Sequence, residues 1–135
     1  LLLRHRRATP WLEARRADGS RPATLADLVR SLQRLSRQRV AIAWPGHGRA
    51  IRAHRMLIAR RLAELRQELK RARLGVTAGA STIVDVARAL DLALSAEALF
   101  ASLSEAVALT DWLVERDLVE RRTMDGLIRL STRRA

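Results

Sequence analysis

The sequence contains no cysteine. This absence excludes disulfide bonds, thiolate zinc fingers and cysteine nucleophiles, and it leaves His, Asp and Glu as candidate metal ligands. Apolar runs of the roughly 18 to 20 residues that a membrane span needs are also missing, and Leu1–Leu3 is too short for a signal-peptide core. We therefore expect a cytoplasmic protein with no membrane partner. The chain begins without Met, which indicates a fragment or a processed chain.

Positive charge dominates the composition. The 135 residues include 26 Lys and Arg against 14 Asp and Glu, a formal net charge of +12. Such a balance favours an anionic partner such as nucleic acid. Residues 1–73 hold 19 basic and 5 acidic residues, whereas residues 74–135 hold 7 and 9. All the basic residues except Lys70 are Arg, and a bias this complete is also typical of a GC-rich genome.

Hydrophobic periodicity predicts an α+β chain that is mostly helical. Residues 24–38 have apolar side chains at helical intervals, with Thr24 and Asp27 spaced as an N-cap and its third-residue partner. Residues 39–44 alternate with period two and contain several β-formers, which predicts a short, half-buried strand.

A second helix is predicted from about residue 50 to residue 73, closed by Gly75. Cations occupy a stripe beside its apolar face. We predict that this stripe is a solvated helix face rather than a phosphate-binding track. It comprises Arg52, Arg55, Arg66, Lys70 and Arg73.

The remaining residues predict helices followed by a hairpin. Ser81 or Thr82 caps a helix that runs to Leu90, and a longer helix begins at Ser95 or Ala96 and ends near residue 116. Alternating segments, 118–122 and 127–130, flank Asp125-Gly126, which is a strong hairpin signal. This order predicts a winged helix-turn-helix.

Sequence-specific DNA recognition by this unit is disfavoured. A reading helix needs Arg, Lys, Asn or Gln on its exposed face. The candidate helix instead offers hydroxyl and acidic side chains, and packing or dimerisation is the favoured use of the unit. Those side chains are Ser102, Ser104, Glu105, Thr110, Asp111 and Glu115.

A histidine between two glycines follows the predicted strand, in the sequence Pro45-Gly46-His47-Gly48. Gly46 and Gly48 permit positive φ and close backbone approach, so the imidazole of His47 can be directed out of the loop. Elsewhere the sequence shows no Ser-His-Asp triad, phosphate-cradling glycine loop or acid pair of clear geometry.

The order of strand, PGHG loop, Arg-rich helix, Ala/Leu helix and hairpin resembles the C-terminal portion of metallo-β-lactamase-fold hydrolases that carry a winged-helix tail. That group has glyoxalase II-like, acyl-thioesterase-like and endoribonuclease-like members. Leu2-Leu3 with Ala8-Thr9-Pro10-Trp11 looks like its "LL…ITP" segment, and residues 31–35 look like its "SLxRL" helix. The resemblance implies the last strand and helices of an αββα sandwich in residues 1–75 and a winged-helix domain in residues 76–135.

The same resemblance implies a zinc-dependent hydrolase with a binuclear site whose last ligand is His47. Two zinc ions would lower the pKa of a bound water to about 7 and polarise the scissile carbonyl or phosphoryl group. The implied substrate is a small acyl ester or thioester. The family's HxHxDH ligands lie upstream of Leu1, so this chain alone is expected to be inactive and unable to bind the zinc pair.

Three further residues are candidate substrate contacts. His54 is interpreted first as a core-edge histidine and otherwise as a substrate contact. Arg60 and Arg61 stand where the family often has a His-Arg pair, and they would suit an acidic or phosphate-bearing carrier such as coenzyme A. Two alternatives stay open: an RNA-processing or other nucleic-acid-processing member of the fold, and a winged-helix interaction module that forms a homodimer.

Overall fold

The computed structural model describes residue 17, residues 20–46 and residues 48–133. It is mostly helical with one two-stranded antiparallel sheet, as the periodicity predicted. The elements are α1 (Thr24–Arg37), α2 (His54–Thr77), α3 (Ile83–Ala89), α4 (Leu99–Glu115), β1 (Val119–Met124) and β2 (Leu127–Thr132). None of the helices in this described part is long and apolar enough to cross a membrane.

One apolar core joins all four helices to the hairpin. Leu32 of α1, Leu65 of α2, Val86 of α3 and Leu109 of α4 belong to the same buried cluster, which also includes Leu130 of β2. Burial of these side chains supplies most of the driving force for packing, at about 25 cal/mol per Å² of apolar surface. The helices therefore pack as one body.

Helix α4 lies at the centre of this core, and nine of its residues are buried. The prediction that this helix exposes its polar side chains is therefore wrong for four of them, Ser102, Ser104, Glu105 and Thr110. The three hydroxyl groups donate hydrogen bonds to backbone carbonyls, which offsets the cost of burying them. Packing against distant parts of the chain therefore determines which residues of α4 are buried, and the buried hydroxyl groups form hydrogen bonds with the backbone.

The predicted N-terminal cap of α1 is wrong. Ala23 occupies the N-cap position and makes no side-chain cap bond. The amide of Asp27 already bonds to the carbonyl of Ala23 at 2.9 Å, so Thr24 is inside the helix. The carboxylate of Asp27 pairs instead with Arg30, one turn further along.

The prediction that Gly75 ends α2 is wrong, because the helix continues to Thr77. A Cβ atom on Gly75 would lie 2.8 Å from the Cβ of Ala89, so the glycine allows close contact between α2 and the end of α3. Gly79 instead takes the positive φ, 106°, that turns the chain after α2.

The predicted strand over residues 39–44 is also wrong. Among the described residues, this segment forms a single bridge, between Ala43 and Ile51. A strand needs neighbouring strands to satisfy its backbone groups, and the described part of the chain offers it no further partner. Trp44, at the end of this segment that was predicted to be a half-buried strand, is 80% exposed.

The predicted cap of α3 and the predicted hairpin are confirmed, whereas α4 begins at Leu99 and not at Ser95 or Ala96. Thr82 caps α3 in a capping box, since the Asp85 amide donates to its hydroxyl at 3.1 Å and the Thr82 amide donates to the Asp85 carboxylate at 3.0 Å. Asp125 and Gly126 both have positive φ at the tip of the hairpin. The winged-helix designation and the domain boundary at residue 75 stay predictions.

The capping box predicts an acid-sensitive contribution to stability. The hydroxyl of Thr82, and then the amides of Ser81 and Thr82, hold the pKa of Asp85 below its ordinary value of 3.8. A carboxylate whose pKa is lower in the folded than in the unfolded state stabilises the fold at pH values above its unfolded-state pKa. This stabilisation is lost as the pH falls through the folded-state pKa. We expect Asp85→Asn to lower the melting temperature at neutral pH and to flatten its decline below about pH 4.

Thermal unfolding across that pH range checks this expectation. Asp125→Asn is the matched control, because Asp125 lies at the exposed hairpin tip and Asn tolerates its left-handed backbone conformation. Acid profiles of Asp85→Asn and the unsubstituted protein that run parallel would contradict the assigned role.

Candidate functional site

Backbone hydrogen bonds join Ala43 to Ile51, on either side of the segment that contains the PGHG sequence. The amide of Ala43 donates to the carbonyl of Ile51 at 2.9 Å, and the amide of Ile51 donates to the carbonyl of Ala43 at 2.9 Å. Gly48 has a φ of 90°, which favours glycine. A Cβ atom on Gly46 would meet nothing within 4 Å. Backbone conformation therefore explains Gly48, and neighbouring atoms do not require Gly46.

His47, the predicted metal ligand, lies outside the described residues. Within the described ranges, no three His, Asp or Glu side chains are grouped so that they could hold a metal ion. These residues do not fit a two-metal centre on their own. The ligand role of His47 stays a prediction.

His54 is half-buried and begins α2. Its Nε2 atom lies 3.2 Å from the carbonyl oxygen of Gln38, the residue that follows α1. The guanidinium of Arg55 donates to the same oxygen at 3.2 Å. Both side chains join the start of α2 to the end of α1, and a substrate contact by His54 stays a prediction.

The adjacent arginines Arg60 and Arg61 have different surroundings. The side chain of Arg60 is 71% exposed, and its Nε atom lies 3.7 Å from Glu64. Arg61 is buried, donates from Nη1 to the Glu68 carboxylate at 2.9 Å, and lies 3.6 Å from Glu64. Successive helical residues point about 100° apart, so the two do not form one surface. Substrate contact by either stays a prediction.

Arg61 and Glu68 form a buried ion pair that sequence reasoning missed. Both residues occupy the stripe that also buries Ile58, Leu65 and Ala72. Opposite charges seven residues apart on an apolar stripe indicate such a pair, because residues at that spacing share a helix face. This spacing was the signal available in the sequence.

Among the described residues, the cations around the loop have no acidic partners. No Asp or Glu occurs between Asp27 and Glu64. Nine exposed cations make no ion pair with another described residue, namely Arg34, Arg37, Arg39, Arg49, Arg52, Arg55, Arg66, Lys70 and Arg73. Beyond α2, by contrast, Arg88, Arg121 and Arg122 each pair with a carboxylate. Within the described part of the chain, positive charge without an acidic partner is therefore concentrated between α1 and the end of α2.

The chain has a metallo-β-lactamase fold, as likeness to solved structures shows. A β-lactamase domain protein from Burkholderia ambifaria matches 83% of this chain with a TM-score of 0.76 and 22% identity. The metallo-β-lactamase family protein TTHA1429 from Thermus thermophilus matches 85% with a TM-score of 0.68 and 22% identity. The chain covers 34% and 35% of those two proteins.

Among curated proteins, the chain is 32% identical over 119 residues to the probable metallo-hydrolase YqjP of Bacillus subtilis (strain 168). The match covers 88% of this chain and 37% of YqjP. No family model matches the sequence. The chain therefore spans about a third of the length of the proteins that it resembles.

Proposed function

We propose that this chain is the C-terminal segment of a metal-dependent hydrolase. The observation that carries the proposal is the PGHG loop, closed by the bridge between Ala43 and Ile51 and turned by Gly48 in the left-handed region, within a metallo-β-lactamase fold. The similarity to a probable metallo-hydrolase supports the same reaction class.

His47 supplies one ligand to the metal centre, and the other ligands come from outside this chain. When bound, zinc would supply a Lewis acid and an activated water. This chain contributes the position of the loop. The bridge fixes the ends of the loop, while His54 and Arg55 anchor the following helix to Gln38.

A small acyl ester or thioester is the proposed substrate. The exposed cations Arg49 and Arg52 flank the PGHG loop without ion pairs among the described residues, which favours a substrate with an anionic group. Residues 76–135 form a winged-helix unit in this proposal, supported by the order of α3, α4 and the hairpin. Its uses are packing against the hydrolase core or homodimerisation.

Metal content and hydrolysis of the full-length protein test the proposal. We expect His47→Ala to lower the bound zinc and to reduce hydrolysis of a chromogenic thioester by more than about 100-fold. Loss of residues that only orient a ligand already costs about 10- to 100-fold. The control is His54→Ala, which should retain zinc. Equal zinc content in His47→Ala and the unsubstituted protein would refute the ligand assignment.

A further inference from the structure

Helix α2 carries a row of exposed cations, which we call the α2 cation stripe and define as Arg55, Arg66, Lys70 and Arg73. All four are exposed, and none makes an ion pair with another described residue. Helical periodicity places them on one flank of the helix. At a rise of about 1.5 Å per residue, the stripe extends over about 27 Å.

The opposite flank of α2 is used for packing. There Gly75 approaches Ala89, and Arg71 donates to the Asp91 carboxylate at 2.6 Å. Arg71 also donates to the carbonyl of Ala89 at 3.2 Å. Arg71 on this flank is therefore part of the fold. Within the α2 cation stripe, Arg55 also donates to the Gln38 carbonyl, whereas the other three cations have no such contact with a described residue.

The stripe does not stabilise its own helix. Arg66 and Lys70 are four residues apart, and Lys70 and Arg73 are three apart, so like charges face each other. Such pairs destabilise a helix unless an anion lies against them. The only acidic residues of α2, Glu64 and Glu68, face Arg60 and Arg61 instead.

The sequence pattern alone favoured a solvated face for these cations. Because they have no acidic partner among the described residues, we propose instead that the α2 cation stripe binds the phosphates of a single-stranded nucleic acid. Its length matches several successive phosphates and exceeds what a single nucleotide-sized ligand requires. Trp44, 80% exposed on the loop that leads into α2, provides a ring on which a base stacks. Arg34 and Arg37, near the end of α1, are further exposed cations without an ion pair among the described residues. This binding is independent of which ester the proposed hydrolase cleaves.

Fluorescence anisotropy with a labelled oligo(dT) of about 20 nucleotides tests the proposal on the full-length protein. We expect binding that weakens as KCl rises from about 50 to 200 mM. Neutralising four phosphates of a single strand gives a slope of log K against log salt of about −3. Absence of binding at about 50 mM KCl would overturn the proposal.

Two triple variants with the same change in net charge separate a site from a general charge effect. In the stripe variant, Arg66, Lys70 and Arg73 become Gln, and the slope should become shallower by about 2, with affinity at least tenfold lower. In the control, Arg30, Arg88 and Arg122 become Gln. These arginines are exposed but paired with Asp27, Asp85 and Glu120, and the slope should hardly change.

Base stacking and phosphate contact are separated by a single substitution. Trp44→Ala should weaken binding about fivefold or more without changing the salt slope.

The stripe variant should melt no lower than the unsubstituted protein, because it removes like-charge pairs. Equal losses in both triple variants would overturn the proposal. So would binding to phosphatidylserine vesicles without binding to the oligonucleotide, which would identify the partner as a membrane surface.

Discussion

Arg61→Met is expected to destabilise the protein by about 3–5 kcal/mol, because it leaves Glu68 buried without its arginine. The side chain of Arg61 is 4% exposed and that of Glu68 is 10% exposed, so water cannot readily replace the lost partner. The Coulomb attraction in such a pair offsets a desolvation cost that remains when one member is removed. Urea unfolding, monitored by far-ultraviolet circular dichroism, measures the change in the free energy of unfolding.

Arg60→Met is the matched control. Arg60 also contacts Glu64, but it is exposed, and exposed pairs contribute about 0–1 kcal/mol. Replacing both members of the buried pair, in Arg61→Met with Glu68→Leu, should recover most of the stability, since a well-packed apolar pair avoids the desolvation cost. An Arg61→Met variant as mild as Arg60→Met would show that the buried pair has no special role.

Gly75→Ala is expected to destabilise the protein by about 1–2 kcal/mol, which is opposite in sign to the usual effect of this change in a helix. Ala normally improves a helix interior by about 1 kcal/mol over Gly. Here the new methyl group would lie 2.8 Å from the Cβ of Ala89, closer than two carbon atoms pack. Overpacking of this kind costs about 1–3 kcal/mol, and the separation of α2 and α3 would have to increase.

A double-mutant cycle isolates the contact. Ala89→Gly removes the opposing methyl group at the end of α3, so Gly75→Ala should become neutral or stabilising in that background. Arg71, which bonds to the Ala89 carbonyl and to Asp91, should keep the same junction in place. Strictly additive effects of the two substitutions would contradict the proposed close packing.

Predictions from local sequence signals agree with the structure. Thr82 and Asp85 are three residues apart and satisfy each other's backbone groups, so the cap of α3 needs no distant contact. Asp125-Gly126 sets the hairpin in the same way, through backbone conformations that few residues adopt. An apolar face was also predicted for the second helix, and Ile58 and Leu65 of α2 are buried in the core.

Predictions that depended on distant partners failed. Glycine is typical of a helix terminus, but at position 75 it is needed because a Cβ atom would collide with Ala89, fourteen residues further along the chain. Residues 39–44 alternate as a strand does, but alternation does not reveal what the backbone pairs with. Helix α4 has serines and a threonine that look exposed in sequence, although three helices and the hairpin cover them.

The candidate site was anticipated in part. The glycine at position 48 indicated an unusual backbone, and its φ of 90° agrees. Arg61 was interpreted by its place in a resemblance, whereas its burial follows from the apolar stripe that it shares with Leu65. The charge asymmetry was visible in the composition, but which cations lack an acidic neighbour depends on three-dimensional pairing, and sequence counts do not contain that information.

The bridge between Ala43 and Ile51 also affects how the PGHG loop forms. Its two hydrogen bonds join residues only eight positions apart, so closing the loop costs little chain entropy and requires no part of a distant sheet. Closure of the loop therefore depends on a contact that is local in the sequence, between the two residues that flank it.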